Sequence, residues 1–137
     1  MTLNERIAAE ALALVGVRFR LHGRSEATGL DCVGLAALAV ERAGGRAAPL
    51  PAYRLRGMGP IRAGQAIADL GWTPVAAACP GDLLLADSGP MQLHVMILTQ
   101  TGLVHAHAGL GRVVLMPLPS PWPILGNWRL TNSHDGG

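Results

Sequence analysis

The chain predicts an α+β fold, with N-terminal helices packed on a C-terminal antiparallel β-sheet. Two observations carry that prediction. Apolar residues recur at helical spacing in the first half, and the second half turns to short apolar or alternating runs separated by turn residues. Helices first and strands second is the segregated order of an α+β domain, not of a parallel α/β sheet. The length, 137 residues, suits a single domain over residues 1–137 with a real core.

Each element has its own signal. Thr2 and Glu5 form a capping box, and Ile7, Ala11, Leu14 and Val15 follow at helical spacing until Gly16. Residues 17–29 read as a polar, arginine-rich loop. A second helix is expected over residues 32–43, stopped by Gly44-Gly45. A linker rich in Pro, Gly and Arg spans 45–59, and a third helix spans 61–70, closed by Gly71. Strands are expected over 82–86, 92–98, 103–108 and 113–118. The turn segments are Asp87-Ser88-Gly89-Pro90, Thr99-Gln100-Thr101-Gly102 and Gly109-Leu110-Gly111. Trp128-Arg129-Leu130 closes the sheet, and 132–137 reads as a frayed tail.

Composition removes several classes of function. Half of the chain is hydrophobic and 15% is charged, which is not the composition of a disordered segment. All 11 basic residues are arginine; they form no run or stripe, and the net charge is only +2. Nucleic-acid binding is therefore not indicated. Cys32 and Cys79 are too few for a disulfide framework and lack Cys-x-x-Cys spacing. Residues 1–7 hold no apolar core of signal-peptide type. Residues 8–17 are broken by Glu10 and too short to span a bilayer. The expectation is a protein made in the cytoplasm without a signal peptide and without membrane insertion. A substrate outside the cytoplasm would require a carrier.

The chemistry gathers around Asp31-Cys32-Val33-Gly34-Leu35. Cys32 falls in the first turn of the second helix, where unpaired N–H groups and the helix dipole favour negative charge. The expectation is an acidic, nucleophilic thiol. Leu93-His94-Val95 and Val104-His105-Ala106-His107 supply imidazoles. With Gln100-Thr101 as a two-residue turn, 98 pairs with 103, 96 with 105 and 94 with 107. His94, His105 and His107 then share one face of one hairpin. A helix laid on that face would bring Cys32 to them, for acyl transfer with a histidine as base and the Cys32 N–H at the oxyanion. Competing readings are plainer. Cys79, in an apolar run, is expected to be an inert core residue. His22 and His134 are expected to be solvated. Zinc held by Cys32, His94, His105 and His107 is the rival chemistry, although the ligands have no compact spacing.

Three motifs together resemble the NlpC-type family of papain-like cysteine peptidases, which cut bacterial cell-wall peptides. They are Gly29-Leu30-Asp31-Cys32-Val33-Gly34-Leu35, Pro80-Gly81-Asp82-Leu83-Leu84, and the hairpin His94-Val95-Met96-Ile97-Leu98 followed by Gly102-Leu103-Val104-His105-Ala106. The resemblance runs from about Ile7 to Leu130. It implies a papain-like fold with Cys32 as nucleophile, His94 as base and His105 as the third catalytic residue, His107 being the competitor on cross-strand geometry. It implies no cofactor and no metal, and peptidoglycan stem peptides as substrate. Phe19 stands where the family usually has a tyrosine whose hydroxyl assists near the oxyanion. Val33 replaces the usual serine. Met96 replaces a glycine, so a narrowed groove is expected. An apolar residue after the cysteine, a short single domain and the expected lack of a signal peptide look most like members encoded with phage tails or gene-transfer agents. The implied setting is a particle acting in the periplasm of the target cell, with tail-tip proteins as partners. The alternatives are a structural tail-tip module with little catalysis and an intracellular amidase or acyltransferase.

Overall fold

Thr2 Oγ1 accepts the Glu5 N–H and Glu5 Oε1 accepts the Thr2 N–H, each at 3.1 Å. This reciprocal cap starts α1 (Leu3–Ala13). In the computed structural model, residues 1–46, 58–89 and 92–130 are described. Most of the expected linker, the 132–137 tail and His134 lie outside them. Asp31 caps α2 (Cys32–Arg42), and Gly59-Pro60 opens α3 (Pro60–Asp69). None of these helices is long and apolar enough to cross a membrane.

The expected loop over 17–29 contains a two-stranded ribbon, β1 (Arg24–Ser25) with β2 (Gly29–Leu30). The main sheet adds β3 (Trp72–Pro74), β4 (Leu83–Gly89), β5 (Gln92–Thr99), β6 (Gly102–His107), β7 (Arg112–Met116) and β8 (Ile124–Leu130). Its order is β3-β8-β4-β5-β6-β7, antiparallel throughout. The sequence missed β1, β2 and β3 because such short runs carry no period. It undercounted β8 because Gly126-Asn127 reads as a break. It ended β4 early because Asp87-Ser88-Gly89 has turn chemistry; the strand tolerates those residues through a register shift between Asp87 and Gly89.

The two faces of the sheet have different partners. Leu83, Leu85, Leu93, Val95, Ile97, Val104, Ala106 and Val113 join the helices in the main core, against Ile7, Ala11, Leu35, Ala39 and Val40. The alternate residues Leu84, Ala86, Met96 and Leu103 form a second cluster on the other face, covered by Ala78, Leu98, Met116 and Trp122. This alternation decides where every candidate side chain points.

Candidate active site

Asp31 builds the platform for Cys32. Its Oδ1 accepts the Gly34 N–H and Arg24 Nη1, both at 2.7 Å, and its Oδ2 accepts the His22 N–H at 2.9 Å. One carboxylate thereby caps α2 and ties down the preceding loop. Gly34 must lack a side chain, because a Cβ there would sit 2.0 Å from the Gly23 carbonyl oxygen. The Asp-Cys-Val-Gly order thus has a local reason on both sides of the cysteine. Phe19 is half-buried against the main core and bridged to Leu30, two residues before Cys32.

The thiol meets the sheet where two strands stop pairing. The Gln100-Thr101 turn is as expected, with Thr99 opposite Gly102, Leu98 opposite Leu103 and Ile97 opposite Val104. The β5–β6 ladder ends there. Alternation along an antiparallel pair directs the Val95 N–H towards β6. It has no β6 partner in the register and is among the donors that favour the charged form of Cys32. Cys32 is partly buried against the main core on the helix side of the sheet, where α2 packs on β5.

The imidazoles gather on the other face. His94, His105 and His107 line a cavity of about 260 Å³ with Ser88, Gln92, Ala108, Gly109 and Trp122. Ring centroids lie 6.4 Å apart for His94 and His105, and 5.4 Å for His105 and His107. His105 is 1% exposed. Among the described residues neither of its ring nitrogens has a hydrogen-bond partner, nor has Nδ1 of His94. His107 Nδ1 accepts the Leu110 N–H at 3.0 Å. Burial, then the neighbouring His107, holds His94 below the ordinary imidazole range. Burial, then His107 and His94, pushes His105 down to about 4.

Several expectations change. The three histidines do share one face of the hairpin, but α2 packs on the opposite face, because Val95, Ile97, Val104 and Ala106 supply the apolar surface that the helix needs. Burial opposes the expected acidity of the thiol. Desolvation outweighs the hydrogen bonds from Val95, Val33 and its own N–H, Asp31 adds a like charge, and Cys32 is pushed up to about 11. Cys79 is exposed, not a core residue. Met96 is fully buried in the second cluster and narrows no groove. His22 is exposed, as expected. Among the described residues no cluster of three or more metal-ligating side chains is placed to hold an ion. The residue that sequence reasoning passed over is Trp122, which stacks on His94 at 5.7 Å and 22°. Its signal was the alternation Pro117, Pro119, Pro121, Pro123 around it.

The Pro-Gly-Asp-Leu motif proves to be a clasp. Asp82 accepts Arg129 Nε at 2.9 Å and Nη2 at 2.8 Å, Asn4 Nδ2 at 2.9 Å and the Cys79 N–H at 2.7 Å. It ties α1, β4 and β8 together and holds the sheet to which the site belongs.

Helices on one face of an antiparallel sheet, with a cysteine at a helix start and histidines on a central hairpin, define the papain-like α+β class. Within that class the fold is that of NlpC/P60 domains. NlpC1 from Trichomonas vaginalis superposes with a TM-score of 0.70 at 21% identity, over 94% of this chain and 44% of that one. The peptidoglycan hydrolase RipB from Mycobacterium tuberculosis gives 0.61 at 22% identity, over 95% and 65%. RipD from the same organism, a non-catalytic NlpC/p60 domain protein adapted to peptidoglycan binding, gives 0.60 at 20% identity, over 96% and 99%. The chain thus spans under half the length of the Trichomonas protein. No family model and no curated protein sequence matches the chain.

Proposed function

We propose that this chain is a cell-wall peptidase domain of the NlpC type, with Cys32 as nucleophile, His94 as general base and His105 as the third residue. The observation that carries the reading is Cys32 at the start of α2, a helix that packs on the two strands bearing His94 and His105. The fold shared with peptidoglycan hydrolases such as RipB supports it. Burial disfavours the charged forms of both thiol and imidazole. The proton then leaves the thiol as sulfur attacks the peptide carbonyl. His94 takes that proton and returns it to the departing amine. Water releases the acyl group from sulfur in the second half-reaction. The Cys32 N–H serves the oxyanion, and Phe19 withholds the hydroxyl that the resemblance leads one to expect.

The resemblance implies the substrate: the bond between D-glutamate and a diamino acid in the stem peptide. It also implies carriage by a phage-tail or gene-transfer-agent particle into the periplasm of the target cell. A second reading, a wall-binding module without turnover, is favoured by the raised thiol and by the absence of a hydrogen bond to Nδ1 of His94. RipD is a neighbour of that kind. Mass spectrometry of purified peptidoglycan treated with wild type and Cys32→Ala decides between them. New stem-peptide fragments with wild type alone support the peptidase; binding of both proteins without fragments supports the module. Recovery of the protein in purified particles tests the carriage.

A further inference from the structure

Residues 117–123 cross the open face of the sheet as a proline-rich strap between β7 and β8. Proline at alternate positions restricts the backbone of this segment. Ser120 Oγ donates to the Trp122 carbonyl at 2.9 Å and accepts the Trp122 N–H at 3.1 Å. The Pro123 carbonyl accepts the Asp87 N–H at 3.0 Å, which fastens the strap to β4. Trp122 is thus held on both sides. Its indole stacks on His94 and meets His105 edge-on, at 5.4 Å and 88°.

A catalytic imidazole usually owes its ring plane and tautomer to a hydrogen bond from an orienting group. Among the described residues no side chain supplies it to the nitrogens that are buried. Both nitrogens of His105 and Nδ1 of His94 are buried without partners. At 6.4 Å between ring centroids the two imidazoles stand too far apart for a direct N–H···N bond. The flat contact that remains to His94 is the indole face, and offset stacking constrains a ring plane even where no hydrogen bond exists.

We propose that Trp122 is a positioning residue: its indole, carried on the proline strap, holds the ring plane of His94 and closes the pocket over His105. Its catalytic meaning rests on the reading of His94 as the base, but the positioning can be observed without turnover. Ring-proton and ring-nitrogen resonances of the histidines report ring contact and tautomer directly. In wild type the His94 ring protons sit upfield, over the indole, and the ring nitrogens show one dominant tautomer. In Trp122→Ala the upfield shift disappears and the nitrogen shifts average between tautomers. Trp122→Phe, which keeps a flat ring, restores most of both. Trp122→Leu fills the space without a plane and behaves like the alanine variant, which covers the case in which Trp122→Ala does not fold. On peptidoglycan, Trp122→Leu lowers kcat by about tenfold to a hundredfold with KM nearly unchanged, and Trp122→Phe recovers it. One dominant His94 tautomer, read from the ring-nitrogen shifts, in a folded Trp122→Leu variant as in wild type would overturn the proposal. So would rescue by leucine as complete as rescue by phenylalanine. A wild-type protein with the expected resonances and no turnover would sustain the positioning and sink the peptidase reading.

Discussion

The Cys32 sulfur lies among apolar neighbours and beside the Asp31 charge, and both disfavour a thiolate. Cys79 stands exposed at the start of the Pro-Gly-Asp turn. Alkylation depends on thiolate population and access, so the two cysteines should react in a definite order. Iodoacetamide at neutral pH is expected to modify Cys79 first. Cys32 should label slowly and accelerate by about tenfold per pH unit towards pH 11, as expected when the thiolate is the reactive form. Peptide mapping of a time course reads both rates. Faster labelling of Cys32 at neutral pH would mean that the resting thiol is ionised, and that an ion pair with His94 precedes substrate.

At the scale of elements, the Asp82 clasp has a larger part than its sequence motif suggests. The Asp82 side chain is wholly buried and bonded to a guanidinium, an amide and a backbone N–H from separate segments. Gly81 beside it has a φ of +98°, and a Cβ there would lie 2.1 Å from the Asn4 carbonyl oxygen, so α1 packs directly on that turn. Removing one member of a buried pair strands the other charge, at a typical cost of about 3–5 kcal/mol. Asp82→Ala should lose stability on that order in urea unfolding, discounted towards the lower end because Arg129 keeps some solvent. Asp82→Asn, which keeps acceptor and donor atoms, should lose less. A loss under about 1 kcal/mol for Asp82→Ala would show that the clasp does not hold the sheet to α1.

For the whole molecule, the buried imidazoles tie stability to acidity. His94 and His105 are neutral in the folded state at pH values where the unfolded chain would take up protons. The unfolded state then binds more protons, so stability is intact above about pH 6.5 and falls as pH drops towards about 4. For His105 alone the full shift corresponds to roughly 3 kcal/mol, and on the order of 2 once the opening of the cavity to solvent is allowed for. Denaturant midpoints between pH 7 and 4 should show this loss, and His105→Phe should flatten the slope. An unchanged slope in that variant would place the acid sensitivity elsewhere.

Local chemistry determined much of this protein on its own. The Thr2–Glu5 cap, the Asp31 cap, the stops at glycine and the Gln100-Thr101 turn are interactions over a few residues, so the sequence carries them in full. The same holds for the sharing of one face by His94, His105 and His107, which follows from a period of two. Tertiary structure decided which face the helices cover. That choice depends on the summed apolar surface of Val95, Ile97, Val104 and Ala106 against α2, a sum over distant segments. It also decided where the β5–β6 ladder ends, and so where the Val95 N–H is left for Cys32. The acidity of that thiol was a contest between dipole and desolvation. Only the packing around the sulfur could settle it, because desolvation depends on neighbours that the chain brings together from far apart.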